Sequence, residues 1–445
     1  MEDAAAGRPG ALARLRAATA GGPLGNRSFR LLSMGQLAST IGDLCYAVAL
    51  PWFVLSSHGG PIELGTILAC YGVPRTALIP VGGVLADRWG PRAVMLAADA
   101  ARCVLLCVLV VVAARHTASL AVLAPVAALI GAGEGLFLPA SFTIIPSIVE
   151  PEQLQVANSI STGLTQVGSL LGPVLGGLLV TTAGPAPAFA VDAASFAVSA
   201  LALALLRTRP RAAGPAPEGL GGQQDAPTVW SLLRTSRVLQ ITLVVIVVAN
   251  LAAGGTFEVA LPALSHARYG AAGYGALIAC YGFGALGGTL IAARATNMRT
   301  PAVATFCVYL AEGVAMCFVP YLGGLPGAGA AIAALGICNS FGNILIITLL
   351  QRWAPAQLLG RIMSLIMLAA LGSFPASVAV AGVLVHHFGP AIFFPVSGIL
   401  LTIVVLAALT QKAIREFGAT PAAQPAPALP ATDPATPRPG PEPSS

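Results

Sequence analysis

Long apolar stretches separated by short polar interruptions run through nearly the whole chain. A helix rises about 1.5 Å per residue, so roughly 20 apolar residues cross the hydrocarbon of a bilayer. Runs of that length recur near 29–55, 62–86, 93–113, 118–143, 154–181 and 186–206. A polar segment containing Pro and Gly, 207–236, interrupts them. A second set follows near 237–262, 273–293, 300–321, 327–351, 361–385 and 390–411. The pattern predicts an all-α polytopic membrane protein with twelve transmembrane helices, spans 1 to 12, arranged as six plus six. The expected organisation is a tail over 1–27, a first six-helix half over 28–206, a linker over 207–236, a second half over 237–411 and a tail over 412–445. Residues 417–445 are rich in Pro, Ala and Thr with no periodicity, which predicts disorder. Residues 1–27 show no apolar core bounded by a cleavage site, so no signal peptide is read there.

Composition agrees with the pattern. The chain is 56% apolar and 9% charged, against roughly 25% charged residues in soluble domains. Its 50 glycines suit membrane helices, which approach closely where side chains are small. All 8 cysteines fall inside apolar runs without metal-ligand spacing, so they are read as buried thiols, Cys103 and Cys107 included. No metal or cofactor is expected. The net charge of +6 does not point to nucleic acid. Its distribution is informative instead. With the N-terminus placed in the cytoplasm, the tails and the even-to-odd loops hold 19 of the 23 basic residues, and the external loops hold only Arg115 and Arg268. That bias predicts both termini inside a cell membrane.

An internal echo supports duplication. Pro151-Glu152-Gln153-Leu154 precedes span 5, and Pro355-Ala356-Gln357-Leu358 precedes span 11, 204 residues later. Gly82-Gly83-Val84-Leu85 and Gly287-Gly288-Thr289-Leu290 end spans 2 and 8, 205 residues apart. Nearly equal offsets imply two related halves with a site between them near mid-membrane.

Two motifs carry a family resemblance. The turn between spans 2 and 3 reads Gly83-Val84-Leu85-Ala86-Asp87-Arg88-Trp89-Gly90-Pro91-Arg92. It resembles the signature loop of the major facilitator superfamily of secondary transporters, with Pro91 where that family often has a basic residue. The resemblance implies that Asp87 closes the cytoplasmic gate against the N-terminus of span 11, where an anion is favoured, with Arg88 and Arg92 as charge partners. Span 5 carries Gly168, Gly172, Pro173, Gly176 and Gly177, which resembles the antiporter motif of exporters in the superfamily. Its alternative reading is a glycine packing face, with Pro173 bending the helix. The segments Asn26–Arg30 with Gly42-Asp43, Asp99 with Arg102, and Pro355–Ser364 are similar to the branch holding bacterial macrolide-efflux and siderophore-export proteins.

Ionisable residues within spans are costly and are functional candidates for that reason. Asp43 stands about 21 Å above the cytoplasmic end of span 1 and Arg75 about 17 Å above that of span 2, so the two are close enough in depth to pair across adjacent helices. Glu134 stands about 24 Å down span 4 from outside. The resemblance implies that spans 1, 4, 7 and 10 line the cavity, making Asp43 and Glu134 the candidates for a protonatable or cation-binding site. Pairing with Arg75 or plain polar packing is the alternative. Asn250, Asn339 and Asn343, on spans 7 and 10, are candidates for substrate binding or for interhelical hydrogen bonds. Asp99 and Arg102 stand three apart and are expected to form a structural ion pair. Asp192 and Glu258 are placed at solvated outer rims, and Glu312 on span 9 has no account from the sequence. No nucleotide-binding loop or nucleophile motif stands out, which argues against an enzyme or an ATP-driven pump. The resulting expectation is a monomeric proton-coupled exporter of small lipophilic or cationic molecules working by alternating access. A proton-coupled importer and a non-transporting membrane sensor are the alternatives.

Overall fold

The computed structural model describes residues 22–57, 59–115, 119–150, 153–206, 233–294, 300–353 and 359–417. The predicted tails, most of the linker, and Pro151, Glu152 and Pro355–Leu358 of the internal echo lie outside the described residues. Twelve helices among the described residues are long and apolar enough to cross a bilayer. They are α1 (Arg27–Ser56), α2 (Pro61–Trp89), α3 (Pro91–Ala114), α4 (Leu120–Ile144), α5 (Leu154–Ala183) and α6 (Pro185–Leu205) in the first half. The second half holds α7 (Arg237–Arg268), α8 (Gly270–Arg294), α9 (Pro301–Phe318), α10 (Gly324–Trp353), α11 (Leu359–Gly372, continued past Ser373 by Phe374–Phe388) and α12 (Pro390–Thr410). Twelve crossings return the chain to the side on which it started. That side is called the terminal face here, and the other the far face.

Three inter-helix turns share one device. Gly90, Gly184 and Gly389 have φ of 85°, 81° and 84°, and each is followed by the proline that opens the next helix. Glycine tolerates the left-handed φ that ends a helix, and proline at the first helical position has no amide hydrogen to leave unsatisfied. Gly184-Pro185 and Gly389-Pro390 stand 205 residues apart, the same offset as the glycine pairs that end α2 and α8. Phe189 and Phe394, at the same offset, are both fully buried.

Glycine also sets the packing within each half. Gly131 and Gly135 of α4 lie against the backbone of Tyr71 and Arg75 of α2, closely enough that a Cβ would overlap it. In the second half Gly336 of α10 lies against the backbone of Tyr281 of α8 in the same way, and Gly284 and Gly288 of α8 against Ala333 and Ile337 of α10. Membrane helices gain little hydrophobic drive from meeting each other, so such backbone proximity supplies the packing.

The halves meet along α2–α11 and α5–α8. A Cβ on Gly65 would stand 3.1 Å from Gly382 Cα, and one on Gly177 3.1 Å from Gly275 Cα. Both crossings lie toward the far face, where Trp52 of α1 also meets His266 of α7 with ring centroids 4.9 Å apart. Packing continues to about mid-membrane, where the Thr76 hydroxyl of α2 donates to the Leu371 carbonyl of α11 at 3.3 Å. The far side of the central space is therefore closed.

Candidate functional site

A cavity of about 190 Å³ sits between the halves, lined by four carboxylates, Asp43, Glu134, Asp192 and Glu258, with the guanidiniums of Arg75 and Arg102. Its most complete interaction spans α2 and α4. Arg75 Nη2 lies 2.8 Å from Glu134 Oε1, with side-chain exposures of 21% and 24%. The Tyr71 hydroxyl donates to Glu134 Oε2, and the Arg75 guanidinium lies 5.7 Å from the Tyr71 ring centroid. Of the two carboxyls whose depth allows pairing with Arg75, Glu134 takes it and Asp43 does not. The cause is the glycine-mediated approach of α4 to α2, which brings Glu134 to Arg75 from the next turn after Gly131.

Asp43 is exposed to the cavity and has no salt bridge among the described residues. Its neighbour is a second carboxylate. A Cβ on Gly42 would come 2.5 Å from Asp192 Oδ1, so the glycine lets α6 close on α1 and sets Asp192 beside Asp43. Asp192 is 2% exposed, with its carboxylate accepting from Ser195 Oγ at 3.3 Å. Its predicted rim position is corrected although the predicted span lies within a residue of α6: Asp192 stands about 10 Å inside the helix, where the close approach of Gly42 and the Ser195 hydroxyl bury it. Ser397 occupies the same place in the second half, 205 residues on, and is equally buried.

Glu258 is corrected likewise. Span 7 ends at Arg268 rather than near 262, so Glu258 lies about 15 Å inside the far end. It belongs to a π-helical turn, Thr256–Ala260, a deviation often found where a helix must aim a side chain. Beyond it opens an adjoining cavity of about 300 Å³ lined by Phe257, Tyr274, Tyr281 and Phe374. The sequence places Asp192 at the rim because its position along the span does not show which neighbouring helix covers it, and Glu258 because its apolar run stops short of Arg268. The Asp192–Ser397 echo was the available signal for the first.

Asp99 and Arg102 form an internal pair on α3. Arg102 Nη2 donates to Asp99 Oδ1 at 2.6 Å and the Ser199 hydroxyl donates to Oδ2 at 2.6 Å. Arg102 is 3% exposed and its guanidinium lies 4.7 Å and 4.2 Å from the Phe137 and Phe196 ring centroids. Of the three asparagines, Asn250 spends its amide on the Ile246 carbonyl of its own helix at 2.9 Å. Asn339 donates to Glu312 at 3.2 Å, and Asn343 is exposed. The structure thus brings Asp43, Arg75 and Glu134 together but does not gather the asparagines with them.

In the α2–α3 turn, Asp87 and Arg88 are exposed at the terminal face, Gly83 is half-buried, and Gly90 makes the turn. Arg92 takes a role other than the one expected as a partner of Asp87. Its Nε and Nη2 donate to the Leu203 and Ala204 carbonyls at 2.7 and 2.5 Å, satisfying acceptors at the end of α6 that the helix itself leaves open. In α5, a Cβ on Gly168, Gly172 or Gly176 would crowd Thr40, Leu44 and Cys45 of α1, whereas Gly177 faces Gly275 across the seam. Pro173 frees the Ser169 carbonyl, which lies 3.6 Å from where a Cβ of Gly282 on α8 would stand. Among the described residues no group of three or more His, Cys, Asp or Glu is placed to hold a metal.

Two six-helix halves enclosing a mid-membrane polar cavity, closed on one side, define a secondary-transporter architecture. Residues 32–370 match the family model described as Major Facilitator Superfamily, and the chain belongs to that family. It is 26% identical over 420 residues to the multidrug efflux pump Tap of Mycobacterium tuberculosis, covering 88% of this chain and 95% of the pump. It is also 26% identical over 408 residues to the enterobactin exporter EntS of Salmonella typhimurium, covering 88% and 94%. A bacterial homologue of the iron transporter ferroportin, solved in an inward-facing state, shares the fold with a TM-score of 0.65 at 15% identity, over 86% of this chain and 99% of that one. The protein is a multi-pass membrane transporter.

Proposed function

We propose that the protein is a proton-coupled exporter that moves small lipophilic or cationic molecules out of the cell by alternating access. One observation carries this reading: the cavity holds four carboxylates and two guanidiniums, and Arg102 is already committed to Asp99. Arg75 alone remains to balance Asp43, Glu134, Asp192 and Glu258. In a low-dielectric site this excess of negative charge must be met by protons or by a cation. Competition between the two for the same carboxylates is antiport. The neighbouring aromatic walls suit a cation with apolar bulk.

Direction is supported by the charge map and the relatives. The bias of basic residues supports a cytoplasmic location for the terminal face, both tails and the 207–236 linker. The far side is then the outside, and its closed seam leaves substrate to enter from within. Tap and EntS are a drug pump and a siderophore exporter by name. Halves bounded at 28–206 and 237–411 would rock about the cavity within a monomer. A proton arriving from outside on Asp43, beside Asp192, would release the substrate outward, and Asp87 would latch the cytoplasmic gate in that state.

The test is uptake of a fluorescent cationic drug into inverted vesicles, with and without an imposed proton gradient. Gradient-driven accumulation by the wild type that Asp43→Asn loses is the expected result. Accumulation that ignores the gradient, or that Asp43→Asn retains in full, overturns proton coupling at α1.

A further inference from the structure

Glu312 does not line the cavity, yet among the described residues its carboxyl is the one with a buried oxygen that has no hydrogen-bond partner. It is 2% exposed on α9. Oε1 accepts from Asn339 Nδ2 at 3.2 Å, and Oε2 is buried with no hydrogen-bond partner. No Arg, Lys or His pairs with it among the described residues. Its surroundings are neutral on every side. Asn339 and Cys338 come from α10, Tyr281 from α8, and Tyr309 from its own helix one turn away. From α12, Thr402 packs against Gly313 with its hydroxyl unpartnered. Lys412 and Arg415 lie by the terminal end of α9, about 16 Å down the helix axis, and are engaged with Glu416 and the Thr410 carbonyl.

The two halves give the comparison. Gly131 against Tyr71 and Gly336 against Tyr281 are the same contact, so Glu134 and Asn339, each three residues further on, occupy the same place. One turn across, Arg102 reaches from α3 to Gly133 of α4, with a Cβ there 3.2 Å from its Cγ. In the second half Glu312 reaches from α9 to α10 at that level. The first half has a cation from its third helix and a carboxylate on its fourth. The second half has a carboxyl from its third helix and an amide on its fourth, with no cation. An isolated carboxylate in such a site loses its hydration with no compensating charge, whereas a protonated carboxyl with an amide donor on its carbonyl is cheaply held.

From this geometry we infer that Glu312 is a second proton-binding site, separate from the cavity of the first half and joined to α10 through Asn339. The ligand is a proton on Oε2. The proton leaves when movement of α10 relative to α9 admits water to the Glu312 carboxyl, because hydration and the Asn339 donor both favour the carboxylate, so its occupancy follows the conformational cycle. The site requires neither the proposed direction nor the proposed substrate.

Infrared difference spectroscopy of the full chain in lipid nanodiscs, with carboxyl-labelled ¹³C-glutamate, reads this directly. The expected result is a protonated glutamate carbonyl band at neutral pH that disappears reversibly as pH rises. That band should be absent in Glu312→Gln, present in Asp43→Asn and Glu134→Gln, and moved to higher frequency in Asn339→Leu, which removes its donor. Glu312→Asp serves if the Gln variant does not fold, because the band then loses its sensitivity to the glutamate label. A band unchanged by either substitution at Glu312 overturns the assignment. A band that depends on Glu312 but persists at every pH the protein tolerates overturns proton exchange and leaves a permanently neutral packing residue. Failure of drug uptake in vesicles affects neither result.

Discussion

The Arg75–Glu134 pair permits a worked prediction. At 2.8 Å and an effective dielectric of about 20, the attraction between the two charges is ~6 kcal/mol. Desolvation of both ions offsets several kcal/mol of it. Side-chain exposures of 21% and 24% place the pair at a cavity wall rather than in a dry core, which softens both terms. A net coupling of ~1–3 kcal/mol is expected, with the Tyr71 hydroxyl contributing through Glu134. The perturbation is a cycle of Arg75→Gln, Glu134→Gln and the double variant. The assay is equilibrium unfolding in mixed micelles followed by tryptophan fluorescence. Each single variant should be destabilised, because each strands the other charge, and the double variant should recover at least half of the summed loss. If the two losses simply add within about 0.5 kcal/mol, the pair does not hold α2 to α4, and the glycine contacts alone do.

Two further outcomes follow from the seam and the gate. Gly65→Ala puts a Cβ 2.6 Å from the Val378 carbonyl and 3.1 Å from Gly382 Cα, so α2 and α11 must part at the far side. The expected result is a longer distance between spin labels on the far ends of those helices, and an unchanged distribution would show that the seam absorbs the methyl group. Asp87→Asn should abolish transport while leaving membrane insertion normal, and wild-type rates in that variant would remove the latch from the mechanism.

The sequence made the twelve spans legible because each crossing needs a long apolar run, and the glycine–proline punctuation marks where several of them end. The end of span 7 and the covering of span 6 were harder to read, and they hid chemistry. Apolar-run counting ends span 7 near 262, which assigns Glu258 to the rim when the helix continues to Arg268. The predicted bounds of span 6 agree with α6, and Asp192 is misplaced because the burial that Gly42 brings from α1 is not visible along α6. Pair identity was harder still. Depth along a helix says which residues share a level, and Asp43, Arg75 and Glu134 do. Which two meet depends on which helices touch, and that is decided by Gly131 and Gly135 rather than by the charges. Arg92 illustrates the same limit: its partners are backbone carbonyls more than a hundred residues away, with no side-chain signature to find.

The location of each charge's partner has a consequence for how the chain is made. Asp99 and Arg102 neutralise one another within a single turn, so α3 can leave the translocon as an electrically quiet segment. Arg75 has no such local companion. Its counter-charge belongs to α4, and between the two lies the whole of α3. During synthesis α2 must therefore wait at the membrane insertion machinery, or hold its arginine toward water, until α4 emerges and Gly131 and Gly135 seat against it. Either way the charge of α2 is matched only once three successive helices have been made, so the order of the chain also sets when its polar cavity can form.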